Sequence, residues 1–230
     1  MQIVLVPGLW LNGESWQPVA DRLVEAGHTV QSLTLPGMES KESSRHGINL
    51  SDHVAAVVAA VDAAGDEVLL VGHSASSALA FCAANARPDN VRRVVYVGGF
   101  PAPDGEQFMA GFEPVGDDVP FPGWAAFEGP DSADIDEPTK RRLLEEFIPS
   151  PAGVLAGTVR LSDERRYAVP ATAVCPEYTP DDLRAWIAAG DVPELARTAH
   201  LEIVDIDSGH WPQLTQPEKF ADLLLTEAQR

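Results

Sequence analysis

The stretch Val68-Leu69-Leu70-Val71-Gly72-His73-Ser74-Ala75-Ser76 decides how the rest of the chain is read. Four apolar residues of strand character run into a glycine, and a helical, alanine-rich run follows through Ala86, so Ser74 stands at a sharp strand-to-helix turn. Such a turn strains its central residue, and the positions two before and two after must be small for strand and helix to approach. Gly72 and Ser76 meet that requirement, although Ser76 stands where the pattern usually has glycine. The turn would lift the Ser74 hydroxyl clear of the sheet, near the positive end of the following helix. It would also offer the Ala75 amide to a developing oxyanion.

Working outward, short strand-like runs alternate with longer amphipathic stretches, the pattern of parallel strands joined by crossover helices. Strands are expected at Ile3–Val6, Thr29–Leu35, Val68–Val71, Val94–Val97, Ala171–Val174 and Leu201–Ile206. Val54, Val57, Val58 and Val61 form one helical stripe with Ser51 placed to cap it; Trp16, Val19 and Leu23 mark a first helix, and Phe220, Leu223 and Leu224 a last one. The expectation is an α/β fold, a six-stranded mostly parallel sheet with helices on both faces, forming a single domain over 1–230. Its core is 1–100 and 169–230. Between them, 101–168 is too rich in Pro, Gly and acids to continue the rhythm, with one helix expected at Thr139–Phe147. So long an interruption reads as a cap beside a site, since ordinary connections run to about half a dozen residues.

Sixteen basic and 35 acidic side chains give a formal charge of −19. Phosphate binding needs a positive footprint, so a nucleic-acid partner is excluded. No apolar run approaches the roughly 18 residues of a membrane span, and Met1-Gln2-Ile3 lacks the basic opening of a signal peptide, which points to a cytoplasmic protein with a small-molecule substrate. Cys82 and Cys175 sit in neither a CxxC pair nor a metal-ligand spacing, so no metal or disulfide is expected, and Cys82 reads as a small buried hydrophobe.

A serine hydroxyl needs a base within hydrogen-bonding reach. Of six histidines, His28 and His53 read as surface residues and His46 lies in a polar loop. His73 is directed away from Ser74, and His200 sits at the wrong end of the last strand. His210, in Asp207-Ser208-Gly209-His210-Trp211, follows that strand at the carboxyl end of the sheet, where open α/β folds place their sites. Glycine in Pro7-Gly8-Leu9-Trp10 permits a turn that points the Leu9 amide inward as a second oxyanion donor, with Trp10 the next candidate.

Taken together, the opening strand with Pro7-Gly8, the Leu35-Pro36-Gly37 segment, Val71-Gly72-His73-Ser74 and Gly209-His210 make the chain resemble the α/β-hydrolase superfamily along essentially its whole length. It looks most like the small esterase and hydroxynitrile-lyase-like branch, in which a tryptophan follows the oxyanion loop. The resemblance leads one to expect the strand before the oxyanion loop as the first of the sheet, without the family's usual first two strands. The family usually has His-Gly where this chain has Pro7-Gly8, and Asp where this chain has Thr179, which instead reads as the N-cap of a helix. The acid is left between Glu177, two residues earlier with a longer reach, and Asp104, in a Pro-Asp-Gly turn; Asp205 and Asp207 lie too close to His210 in sequence to reach its far nitrogen.

The resemblance implies a serine hydrolase of carboxylesterase type, needing no cofactor, with Ser74, His210 and Glu177 (or Asp104) as triad. Leu9 and Ala75 would form the oxyanion hole, and Trp10, Phe121, Trp124 and Trp211 would bind substrate, although the aromatics of the excursion read equally well as a small satellite core beneath it, and both can hold at once. The serine argues against relatives with an aspartate nucleophile, and Trp211 stands where similar lyases carry lysine. The alternative is a ligand receptor that keeps the fold but turns over slowly or not at all. The acidic excursion favours an uncharged, fairly apolar ester.

Overall fold

A computed structural model describes residues 1–230. The strands β1 (Gln2–Val6), β2 (Thr29–Ser32), β3 (Val68–His73) and β4 (Val91–Val97) precede the excursion, which holds the short strands β5 (Asp118–Val119) and β6 (Ser150–Pro151); β7 (Ala171–Cys175) and β8 (Leu201–Asp205) follow it. Six strands form one sheet in the order β2-β1-β3-β4-β7-β8, with every neighbouring pair parallel. β1, β3 and β7 are buried almost throughout, whereas the edge strands β2 and β8 are partly exposed. Continuous apolar runs such as Val68–Val71 are what a strand covered on both faces requires.

The helices are α1 (Gln17–Glu25), α2 (Leu50–Ala64), α3 (Ser76–Ala86), α4 (Glu137–Glu146), α5 (Ala152–Leu155), α6 (Pro180–Ala189), α7 (Pro193–Ala196), α8 (Pro212–Thr215) and α9 (Pro217–Gln229). Alternation along the strands divides the core. Ile3, Leu5, Leu69 and Val71 face α1 and α9 through Leu23, Phe220 and Leu224 and the N-cap residue Trp16, while Val4, Val6 and Leu70 face α2 and α3 through Val57, Val61 and Leu79. Both cysteines are free and buried, and burial pushes each thiol up to about 12, so neither ionises near neutrality.

Two local expectations are corrected. α2 is capped by Asn49, not Ser51: the Asn49 side chain accepts from Ser51 N, and Asp52 reaches back to Asn49 N in a capping box. His53 is buried, because its Nε2–H donates to the Pro36 carbonyl at 2.9 Å, a partner that its helix neighbours do not reveal. In the excursion, α4 begins at Glu137 because Asp136 caps it by accepting from Thr139 N. β5 and β6 pair antiparallel through Val119 and Ser150, tying the two ends of the excursion's central part together.

Replacing Asn49 by Ala is expected to lower stability by about 1 kcal/mol, read as a lower urea midpoint. Ser51→Ala should cost clearly less. Equal losses would contradict the assignment of the cap.

Candidate active site

β3 ends at His73 and α3 begins at Ser76, leaving Ser74 at the crossing with φ 56. A left-handed backbone is rare for a residue with a Cβ and persists only where its surroundings over-determine it. Here Ser74 N donates to Val97 O at 2.7 Å and Ser77 N donates to Ser74 O at 2.9 Å. The close approach leaves no room for side chains nearby. A Cβ on Gly72 would collide with the Ser76 carbonyl, and one on Gly99 with the Ser74 carbonyl.

The loop after β8 brings His210 over this turn. Its Nε2 lies 2.9 Å from Ser74 Oγ, and its Nδ1 lies 2.8 Å from Glu177 Oε1. An ionised carboxylate only accepts, so Nδ1–H donates to Glu177 and Nε2 is free to accept from the hydroxyl. Imidazole and carboxylate are both largely shielded, with side chains 12% and 13% exposed, which strengthens the pairing relative to a surface contact. Glu177 reaches from the end of β7, and Gly98 makes the space: a Cβ there would sit 3.2 Å from His210 Nδ1 and 3.3 Å from Glu177 Oε2, at a φ of 58. Asp104 is elsewhere. It is exposed, and its carboxylate accepts from Leu161 N at 2.8 Å, as a turn residue does. Thr179 caps α6 in a box with Asp182.

Around the triad-like line lies a second layer. His73 is fully enclosed; its Nε2–H donates to the His210 carbonyl at 2.7 Å, and its Nδ1 accepts from Gln213 Nε2 at 3.2 Å. Burial, and next the neighbouring His210, lower its pKa to about 3, so it stays neutral. The excursion also holds the histidine loop, since His210 N donates to Asp131 O at 2.8 Å and Gly209 N to Asp134 Oδ2 at 2.8 Å. The Asp131 carboxyl is pushed above the usual range by burial and then by the charge of Glu177.

Gly8 lies directly against the turn: a Cβ there would come within 2.7 Å of His73 Nδ1 and 3.0 Å of Ser74 Cβ. The Leu9 and Ala75 amides are not used by any acceptor within the chain, whereas the Trp10 amide donates to Ser150 Oγ at 3.0 Å. The Trp10 amide, the other candidate donor, is thus already engaged within the chain.

The cavity that reaches Ser74 has a volume of about 270 Å³ and is lined by Phe100, Ala102, Phe108 and Met109 beside Ala78 and Gly99, with no charged side chain. Trp10, Phe121, Trp124 and Trp211, expected to bind substrate, are not among its walls. They pack into an aromatic core under the cap, with Trp10 and Phe121 rings 5.1 Å apart and Trp124 and Trp211 5.5 Å apart. Phe121 and Trp124 of the cap close over Trp10 and Trp211 of the core, and the Trp211 ring also packs edge-on against His210, with ring centroids 4.9 Å apart. A larger cleft of about 590 Å³, whose walls include Trp10, Glu14, Lys41, Arg142, Glu146 and Phe147, does not have Ser74 in its lining.

The model of the alpha/beta hydrolase family matches residues 3–223. The chain belongs to this family. A carbendazim hydrolyzing esterase of Nocardioides sp. (strain SG-4G) is 31% identical over 109 residues, 46% of this chain and 45% of that protein, so the match spans less than half of either. Among solved structures, an extracellular alpha/beta-hydrolase from a Paenibacillus species superposes with a TM-score of 0.79 at 17% identity, covering 98% of both chains. A pyrethroid hydrolase from Sphingobium faniae JZ-2 gives 0.76 at 18% identity, covering 100% of this chain and 97% of the other. The two structures share the alpha/beta hydrolase fold with this chain. No helix is long and apolar enough to cross a membrane.

Sequence reasoning missed the buried hydrogen bonds that His73, Gln213, Ser76 and Ser150 make around this site. His73 and Ser76 sit inside the quoted motif, but their partners are Pro7, His210 and Gln213, and only the tertiary fold pairs them.

Two outcomes follow from this packing. Gly98→Ala should lower activity markedly, because the new methyl group crowds both His210 Nδ1 and Glu177 Oε2 at a strained φ; full activity would contradict the geometry. For His73 the folded pKa is depressed below the unfolded value of 6.5, so the unfolded chain binds the extra proton and stability falls as pH drops from 6.5 toward about 3. Between pH 6.5 and 5 this contributes up to about 1.4 kcal/mol per pH unit, and urea unfolding of His73→Gln should show a shallower slope than the wild type.

Proposed function

We propose that this alpha/beta hydrolase is a serine carboxylesterase acting on small, uncharged, apolar esters. The observation that carries the reading is the line from Ser74 Oγ to His210 Nε2 at 2.9 Å and from His210 Nδ1 to Glu177 Oε1 at 2.8 Å, with the serine on a left-handed turn. His210 takes the hydroxyl proton as Ser74 attacks the ester carbonyl carbon, and Glu177 stabilises the imidazolium and holds its tautomer. The Leu9 and Ala75 amides receive the negative charge that develops on the carbonyl oxygen. As the intermediate collapses, the C–O bond to the alcohol breaks and His210 returns the proton to the leaving oxygen. Water, deprotonated by the same imidazole, then attacks the acyl-enzyme and releases the carboxylic acid and the free serine.

The apolar, uncharged lining of the Ser74 cavity supports neutral substrates of modest size. So does the cap, whose residues 101–168 hold fourteen acidic against six basic side chains and would repel an approaching anion. The similarity to an esterase that hydrolyses carbendazim agrees with ester-type carbonyl chemistry.

A panel of p-nitrophenyl and methyl esters tests the reading. Ser74→Ala should abolish turnover, and Glu177→Gln should lower kcat by about three to four orders of magnitude, while Asp104→Asn stays active. A damaging Asp104→Asn beside an active Glu177→Gln would overturn the acid. At low salt a neutral methyl ester should be preferred to the corresponding half-ester bearing a free carboxylate, and the reverse order would overturn the substrate class.

A further inference from the structure

An oxyanion donor works only if it is fixed before the charge appears, because a donor that must reorganise during the reaction loses most of its advantage. Leu9 lies in a loop after β1 with no helix or strand pairing to fix it. It is instead bracketed by two buried serines remote in sequence. On one side, Ser76 Oγ donates to the Pro7 carbonyl at 2.5 Å, so the hydroxyl at the position where the elbow pattern usually has glycine ties the elbow to the loop. On the other, the Trp10 amide donates to Ser150 Oγ at 3.0 Å, which places a residue of β6, in the cap, against the same loop. The grip of the cap on Trp10 is completed by Ile148 N donating to Trp10 O at 2.9 Å and Trp10 Nε1 donating to Val119 O at 3.1 Å, and it holds Trp10 at φ 63.

We propose that Ser76 and Ser150 are positioning residues for the oxyanion hole, acting through Pro7 and Trp10 to aim the Leu9 amide at the carbonyl oxygen of the substrate. The proposal rests on the reading of Ser74 as nucleophile and Leu9 as donor. Ser76 supplies a brace from the elbow side. Ser150 supplies one from the cap, so docking of the cap contributes to the chemical step and not only to substrate binding. The Trp10 carbonyl and indole fix the tryptophan to β5 and the chain before β6, while the serine hydroxyl alone meets the amide next to Leu9.

Steady-state kinetics on a short p-nitrophenyl ester with Ser76→Ala, Ser150→Ala and Ser150→Thr provide the test, with thermal unfolding recorded for each. Both alanine variants are expected to lose roughly tenfold or more in kcat while KM stays within about twofold, the mark of an interaction realised in the transition state. Ser150→Thr, which keeps the hydroxyl, should recover most of the loss. Ser76→Gly, which restores the usual small residue, takes the place of Ser76→Ala if that variant does not fold, and is expected to show the same kcat loss. Wild-type kcat in folded alanine variants, a change confined to KM, or a threonine variant as poor as the alanine one would overturn the proposal. An active Ser74→Ala would instead bring down the reading on which it rests.

Discussion

The backbone of Ser74, held at φ 56 between β3 and α3, is the constraint on which the site is built. A left-handed serine costs of order 1–3 kcal/mol, and the surrounding packing must offset that. Gly72 and Gly99 let the chain close around the turn, and the Val97 carbonyl extends the β3–β4 ladder by one bond to Ser74 N. The central strand β3, buried along its whole length within the parallel sheet, anchors this junction. Once the turn is fixed, the Cα–Cβ bond of Ser74, the Ala75 amide and the start of α3 are placed together.

The remaining groups arrive on loops, and each loop is held from two sides. His210 is fixed by its imidazole, through Glu177 and Ser74, and by its backbone, whose carbonyl accepts from His73 while its amide donates to Asp131. The loop carrying Leu9 is held by Ser76 below and by Ser150, Ile148 and Val119 from the cap. The excursion therefore does more than cover the cavity: its residues contact both loops that carry the proposed catalytic groups. Its aromatic side chains supply the packing that keeps these contacts in register.

Much of the fold and the line of Ser74 and His210 could be read from the sequence, because both rest on local signals. The apolar run before Gly72 and the alanine-rich run after Ser76 specify strand and helix within a dozen residues, and Gly209-His210 follows the last strand directly. Choosing between Glu177 and Asp104 required knowing how far a side chain reaches from the end of β7, a distance that no periodicity encodes. Whether the aromatics line a pocket or form a core beneath the excursion could not be chosen from the sequence, because their partners are not visible there. Trp10 joins Phe112, Phe121 and Phe127 only after the two-residue strands β5 and β6 pair, and strands that short leave no alternation to read. The burial of His53 escaped for a similar reason, its partner being the Pro36 carbonyl in the loop after β2.

The central claim is that Ser74 is an activated nucleophile rather than a relic of the fold. Exposure of the native protein to a fluorophosphonate probe, followed by intact-mass measurement, addresses it without knowledge of the substrate. The account predicts one adduct per chain on the wild type and none on Ser74→Ala. An unlabelled wild type, or an adduct that persists in the alanine variant, would contradict it.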